Sequence, residues 1–474
     1  MQSHTYSASA SFVSSPSGDP YKYQVGFGNR FASEAIPGTL PQGQNHPQKN
    51  KYGLYMEGMT GSPFVAPRPQ NLHAFMYRIR PSLDHKKFVR LPDSPDMESN
   101  FLPINPKVHI SPTQLSLGPP PFPLSSDEVD FIAGLKTIAG NGEPTAREGL
   151  ALHFYVANAD MKNKAFCNSD GDMLVAPQQG RLDVQTEFGR MMVRPGEFMV
   201  IQKGMKFTVS LPDGPSRGYV QEIFGSHFEL PDLGPIGGQG MANPRDFEVP
   251  LASFEIDETP WEGQLFSAAQ DHTPFDVVAW QGNYVPYKYA MEKFIFVGSL
   301  SKDHIDPSVF TVMTAKSKAT GIPLVEVLTL SERWDVASDT FRPPYYHRNN
   351  ATEIAGLIYG EWVPPYVRGG IGLQTVFCPH GPPPEVHKGA STMELKPERV
   401  FKDTLLTIAI AHHAIVIAFE TPMILTMTDY ALNRAGTVTE SEPLSFPPDF
   451  ISHLDEINAD LKAAGYDELK KKSG

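Results

Sequence analysis

Seven short β-type runs follow one another between Gly149 and His227, and they narrow the possible fold more than any other feature of the chain. They read HFYVAN, MLVAP, LDVQT, MMV, FMVIQ, FTVSL and YVQEIFG, with the turn signals GD, QQG, FG, PGE and KGM among them. Strands this short and this regularly interrupted can bury their apolar faces only against one another, as a sandwich or barrel. Glycine and proline supply the breaks along the whole chain. With 39 glycines and 45 prolines in 474 residues, the sequence stands well above the roughly 12% of ordinary usage, which implies many turns and few long helices. A second set of runs, FIFVG, FTVMTA, LVEVLTL, IAGLIYG, LLTIAIA and MILTMT, lies between about Tyr287 and Leu432 and predicts a second barrel.

A chain of 474 residues exceeds the size at which one core stops growing, so two lobes are expected. Asp172 to Ser210 resembles a cupin-like jelly roll, with Pro195-Gly196 turning the chain into FMVIQ, but this stretch has no histidine and is read as structural. The expected fold is therefore mostly β, two-lobed and bicupin-like, with an irregular N-terminal arm and a C-terminal helix. Residues 1–20 are expected as a flexible tail. Residues 21–286 form an N-terminal lobe with a metal-free barrel, residues 287–446 a catalytic barrel, and residues 447–474 the helix. The arm, Tyr23 to Ser82, is dense in Gly, Pro, Asn and Gln and needs other elements to order it. Glu229 to Asn243 reads as a Gly/Pro connector between lobes, and Phe450, Ile451, Leu454, Ile457 and Leu461 show helical spacing.

Charge and cysteine content exclude several functions. A net charge of −13 and a pI near 5.6 argue against a phosphate-binding surface, so no nucleic-acid partner is expected. Cys167 and Cys378 are too few for a disulfide framework or a Cys-rich zinc site, which fits a reducing compartment and a cytoplasmic location. The first twenty residues lack the basic and apolar regions of a leader. Leu405 to Phe419 is strongly apolar, yet it is shorter than the roughly 20 residues that span a bilayer and is interrupted by His412 and His413. It reads as a buried strand pair with a central break, and no membrane partner is expected.

Among 15 histidines, spacing selects His347 and Glu353, six residues apart in TFRPPYYHRNNATEIAGLIYG. An even separation puts both on one face of a strand or across a tight bend. His380, in CPHGPPP, lies on a loop able to return to the same barrel mouth. Two imidazoles and a carboxylate can hold Fe(II) on one side and leave positions open for substrate and dioxygen. Zinc hydrolases use similar ligands, and spacing alone also allows a buried ion pair.

The motifs GFGNRFASE, LPQGQNHPQ, LYMEGMTGS, YRIRPS, NSDGDML, RGYVQEIFGSHFELPDLGPIG, ANPRDF, DPSVFTVMTAKS and FRPPYYHRN extend from Tyr23 to about Asp403. Over that range the sequence resembles the homogentisate 1,2-dioxygenase family, which opens a para-diol ring bearing an acetate arm to give 4-maleylacetoacetate in tyrosine and phenylalanine catabolism. The resemblance implies Fe(2+) held by His347, Glu353 and His380, an acid/base role for His304 in SKDHIDPS, and a small aromatic diol and O2 as partners. It also implies a homo-oligomer, a trimer or hexamer. Taken by itself, KDHIDP would be a charged surface turn.

The sequence departs from the family between Glu353 and His380. Trp362 stands where a tyrosine normally contacts substrate, Pro365 near the usual lysine, Gln374 in place of a histidine, and Pro383 in place of an aspartate. Trp362, Arg368 and His380 are the expected substrate contacts, with Arg368 a replacement anchor. Leu405 to Phe419 is longer than the family's strand and reads as an insertion or a retained intron. These departures motivate two other readings, a paralogue cleaving a different hydroquinone and an inactive bicupin scaffold. Retention of all three ligands speaks against the scaffold.

Overall fold

A computed structural model describes residues 18–231, 242–256, 266–296, 301–302, 307–361, 366–400, 412–436, 438–440, 445–446 and 449–469. Its regular elements are overwhelmingly strands, and every pairing between named strands is antiparallel. All seven runs between Gly149 and His227 form strands. Glu148–Ala157, Gly171–Gln179 and Ser216–Phe224 are the middle of a ten-stranded sheet. Phe166–Cys167, Leu182–Thr186, Gly189–Val193 and Lys206–Ser210 form a smaller sheet beside it. The apolar side chains of both sheets share one core, in which Phe131 meets Phe207 edge-on at 6.2 Å between ring centroids. At the Pro195-Gly196 turn Gly196 has φ +94°, a conformation that favours glycine, and Glu197 N–H closes the turn on the Arg194 carbonyl.

An eight-stranded sheet carries the second lobe. At its centre His412–Thr421 lies between Pro323–Leu330 and Thr352–Glu361, and Ile371–Gln374 follows on the far side of Thr352–Glu361. Strand alternation gives this sheet two unlike faces. Ile354 and Ile358 belong to the main core, and Gly356 between them admits the Tyr219 ring, which a Cβ there would meet at 2.7 Å. The Tyr219 hydroxyl donates to the Gly370 carbonyl at 2.8 Å, tying the lobes together. Glu353, Ala355 and Leu357 therefore face the opposite way, and Leu357 packs in a separate small cluster with Val400, Ala414 and Val416.

The sheets also exchange strands. Leu115–Leu117, from the N-terminal part of the chain, pairs with Ile371–Gln374 in the second sheet. Thr426–Thr428, from the C-terminal part, pairs with Leu135–Glu143 and Val108–His109 in the first. MILTMT thus contributes a strand of only three residues, and to the other lobe. Tyr287–Ala290 likewise joins the first sheet, beside Glu197–Ile201 and Phe247–Pro250.

Several local expectations are revised. The arm is not wholly irregular, because Phe31–Glu34, Tyr55–Thr60 and His73–Arg78 build a sheet with the distant strand Val277–Gly282, a partner that local composition cannot reveal. His412 and His413 open the ten-residue strand His412–Thr421, held at His412 by pairing with Glu361, and the preceding half of the expected strand pair lies outside the described residues. In FIFVG, Phe294–Phe296 is not a strand. Residues 297–300 and the LLTIAIA segment lie outside the described residues. The C-terminal helix is Leu454–Ala463, shorter than expected, with no buried residue and with Gly465 at φ +80° just beyond its end. No helix of the described residues is long and apolar enough to cross a membrane.

Candidate metal centre

Prolines 343 and 344 bring the chain to Tyr345, Tyr346 and His347 in a non-helical path. His347 N–H donates to the His380 carbonyl at 3.0 Å, and His380 N–H returns the bond at 3.1 Å. This isolated two-residue bridge sets the imidazoles side by side, 4.1 Å between ring centroids. Glu353 enters from the second position of Thr352–Glu361, so a bend, not one continuous strand, joins it to His347. Asn349 fixes that bend, since its side-chain amide donates to the Glu353 carboxylate and its carbonyl accepts the Phe377 N–H at 2.9 Å. Phe377 has φ +60°, a strained value for a non-glycine residue, and this is where the loop turns toward His380.

The three side chains converge within the partly buried mouth of the sheet. Glu353 Oε2 lies 3.2 Å from His380 Nε2, and Oε1 lies 3.5 Å from His347 Nε2. One ligand atom from each residue falls within 4.8 Å of the others, and no other such group occurs among the described residues. Hydrogen bonds decide which nitrogens face inward. His347 Nδ1 lies 2.7 Å from the Tyr345 carbonyl and His380 Nδ1 lies 2.9 Å from that of Cys378. A carbonyl only accepts, so each Nδ1 carries a proton, and a neutral ring then turns the Nε2 lone pair toward Glu353. Two lone pairs and a carboxylate aimed at one point repel unless a cation or a proton lies between them. Such a donor set suits a divalent metal, with backbone carbonyls orienting the imidazoles.

The same arrangement shifts both acids and bases. With a proton on His380 Nε2 in place of a metal, burial would raise the Glu353 pKa, but the hydrogen bonds from His380 and Asn349 outweigh it and hold the carboxyl below its usual range. Burial would lower the His380 pKa, yet the Glu353 and Cys378 bonds carry it above ordinary histidine.

Two family models match this chain, "Homogentisate 1,2-dioxygenase N-terminal" over residues 22–291 and "Homogentisate 1,2-dioxygenase C-terminal" over residues 292–441. The chain belongs to the homogentisate 1,2-dioxygenase family. It is 46% identical over 422 residues to the homogentisate 1,2-dioxygenase of Dictyostelium discoideum, covering 87% of this chain and 93% of that protein. The human enzyme of the same name is 42% identical over 434 residues, 89% of this chain and 94% of its own. The Arabidopsis thaliana enzyme is 49% identical over 372 residues, 76% and 80% of the two lengths.

Against family expectations, the structure brings His347, Glu353 and His380 together but not Arg368. Arg368 is exposed, and it bridges to Leu357, four residues and about 13 Å along the strand from Glu353. His304 and Trp362 lie outside the described residues. Sequence reasoning overlooked Tyr366. Its hydroxyl accepts a 3.0 Å hydrogen bond from the Gln374 amide, and Gln374 is the direct cross-strand partner of Glu353. The signal was available in the glycine-rich return VRGGIGLQ, which folds Tyr366 back over the strand it precedes. Pro383 starts the helix Pro384–Thr392, from which His387 stacks on Tyr346, 5.5 Å between ring centroids, and backs the residue before His347.

Proposed function

We propose that this chain is a homogentisate 1,2-dioxygenase, opening the ring between its hydroxylated and acetate-bearing carbons to yield 4-maleylacetoacetate. The observation that carries the reading is the convergence of two lone-pair-bearing imidazoles and one carboxylate in a chain matched along most of its length by that family. Both atoms of O2 enter the product, so the reaction needs no external reductant. The named relatives all carry that one name and give no support to a different para-diol or an inactive scaffold.

The metal is proposed as Fe(II), held by His347, Glu353 and His380. When bound it would supply Lewis acidity and electron transfer at the positions these three ligands leave open. The protein's own part is positional. The bridge between His347 and His380 fixes the angle between the imidazoles, and Asn349 holds the carboxylate. The Tyr345 and Cys378 carbonyls keep the Nδ1 protons on the outer side of the rings. His304 is proposed to accept the ring-hydroxyl proton, by family resemblance. A homo-oligomer is proposed on the same resemblance, and a cytoplasmic location on the low cysteine content. The nearly fully exposed Phe64 and Val65 of the arm offer apolar surface for assembly.

The test is oxygen consumption by protein reconstituted anaerobically with Fe(II), given homogentisate and then air, with product identified by mass. Stoichiometric O2 uptake and a ring-opened acid are expected, with none from His347→Ala. Uptake with another para-diol but not homogentisate would sink the substrate assignment.

A further inference from the structure

His347 and His380 sit on two irregular segments joined by one antiparallel bridge of two backbone hydrogen bonds. So short a bridge cannot fix two imidazoles by itself, since even a whole isolated hairpin is marginal in water. Packing behind the bridge supplies the rest. With His347 opposite His380, Tyr346 stands opposite Gly381, and strand alternation sends that pair to the face away from the imidazoles. The Tyr346 ring lies across Gly381, where a Cβ would stand 2.4 Å from it. The residue after one ligand is thus the seat of the residue before the other.

Three further rings hold Tyr346 there. It stacks on His387, 5.5 Å between centroids with the planes 29° apart, and His387 is carried on the helix Pro384–Thr392, which begins three residues past Gly381. Phe341, on the approach to His347, meets His387 at 5.1 Å. Phe446 meets Tyr346 edge-on, at 5.4 Å and 88°, a favoured arrangement of two rings. Phe446 lies past residue 441, where the match to the family model ends. We propose that Tyr346 is a positioning residue that holds His347 and His380 at their mutual angle, and that Phe446 extends this support to the C-terminal stretch. It follows that metal retention depends on a residue outside the family match. The proposal rests on the reading of His347, Glu353 and His380 as metal ligands and deepens it.

The test is the affinity of the full-length protein for Fe(II), measured anaerobically by competition with a coloured ferrous chelator and with no substrate present. Tyr346→Leu is expected to bind Fe(II) about 10–100-fold more weakly than wild type, the usual effect of losing a group that orients ligands from behind. Tyr346→Phe keeps the ring and should stay within about twofold of wild type. Phe446→Ala is expected to weaken binding about two- to tenfold, the equivalent of one edge-to-face ring pair, and Phe446→Tyr to restore it. Because Phe446 is 51% exposed, the metal-free Phe446→Ala protein should melt where the wild type does, which a merely structural role would not allow. Should Tyr346→Leu fail to fold, Phe446→Ala decides alone. Wild-type affinity in both variants, or weaker binding only in step with a lower metal-free melting temperature, would overturn the proposal and leave the metal reading intact. Weaker binding in Tyr346→Leu alone would overturn the part given to Phe446. A wild type that binds no Fe(II), or His347→Ala that binds it equally well, would overturn the metal reading and this proposal with it.

Discussion

Two acid clusters of the first lobe and the histidine-lined centre of the second treat carboxylates in opposite ways. In the first lobe both clusters surround a fixed cation: Arg78 contacts Glu57, Glu187 and Asp276, and Lys288 contacts Asp19, Glu197 and Glu248. In the second, the ionic partners of Glu353 among the described residues are His347 and His380, neither of which carries a permanent charge. A carboxylate bound to arginine or lysine is neutralised for good and serves the fold. A carboxylate faced by two imidazoles is left to be neutralised by something that comes and goes.

The largest effect expected from this contrast is catalytic. Glu353→Ala should cut homogentisate-dependent oxygen uptake by about 10³-fold or more, by loss of a charged ligand, while the melting temperature of the metal-free protein moves by only a few degrees. Unfolding of the metal-free variant at room temperature would break the comparison. Arg78→Leu should do the reverse, costing about 3–5 kcal/mol in denaturant unfolding by stranding three carboxylates, with the iron content of the folded fraction unchanged. Loss of iron in proportion to stability would mean that the two clusters are not independent.

The third expectation concerns the exchangeable cation itself. Fe(II) at about a hundredfold excess over its dissociation constant should stabilise the wild type by about 2.7 kcal/mol, an increment that Glu353→Gln should abolish and Arg78→Leu should retain. Tyr219→Phe, which removes the inter-lobe hydroxyl bonded to Gly370, should cost about 1 kcal/mol. The smallest effect belongs to His227. Burial would lower its pKa, but the Asp172 carboxylate 2.8 Å away and the Gly61 carbonyl raise it above the ordinary value. A raised folded pKa stabilises most fully below the unfolded value of about 6.5, and that stabilisation is lost as pH rises through the higher folded one. Melting curves of wild type and His227→Gln should therefore converge as pH increases, and a gap that widens with pH would reverse the sign.

Much of this contrast could be read in the sequence, for physical reasons. Short β-branched and aromatic runs between glycine and proline turns leave strands no alternative to pairing, so the first lobe's strand count was legible. The grouping of His347, Glu353 and His380 was legible because they are distinctive residue types in a recognisable motif. Strand partners separated by hundreds of residues carry no local signature. The arm therefore looked irregular, although Phe31–Glu34 pairs with Val277–Gly282. Thr426–Thr428 looked like part of the lobe that precedes it in sequence. The place of Tyr366 was missed for a similar reason, since its bond from Gln374 nears Glu353 only through the register between Glu353 and Gln374, which the folded sheet establishes.

The strand exchange has a consequence for how such a chain leaves the ribosome. Leu135–Glu143 is synthesised early, but its outer edge is closed by Thr426–Thr428, with Met427 opposite Ala139, after nearly the whole chain has emerged. Until then the edge at Ala139 and Gly140 waits without its partner strand, able to join the wrong neighbour. A premature stop beyond His380 would leave every proposed metal ligand in place and still injure the opposite lobe, so nonsense changes near the end of the coding sequence should act through aggregation instead of failed chemistry.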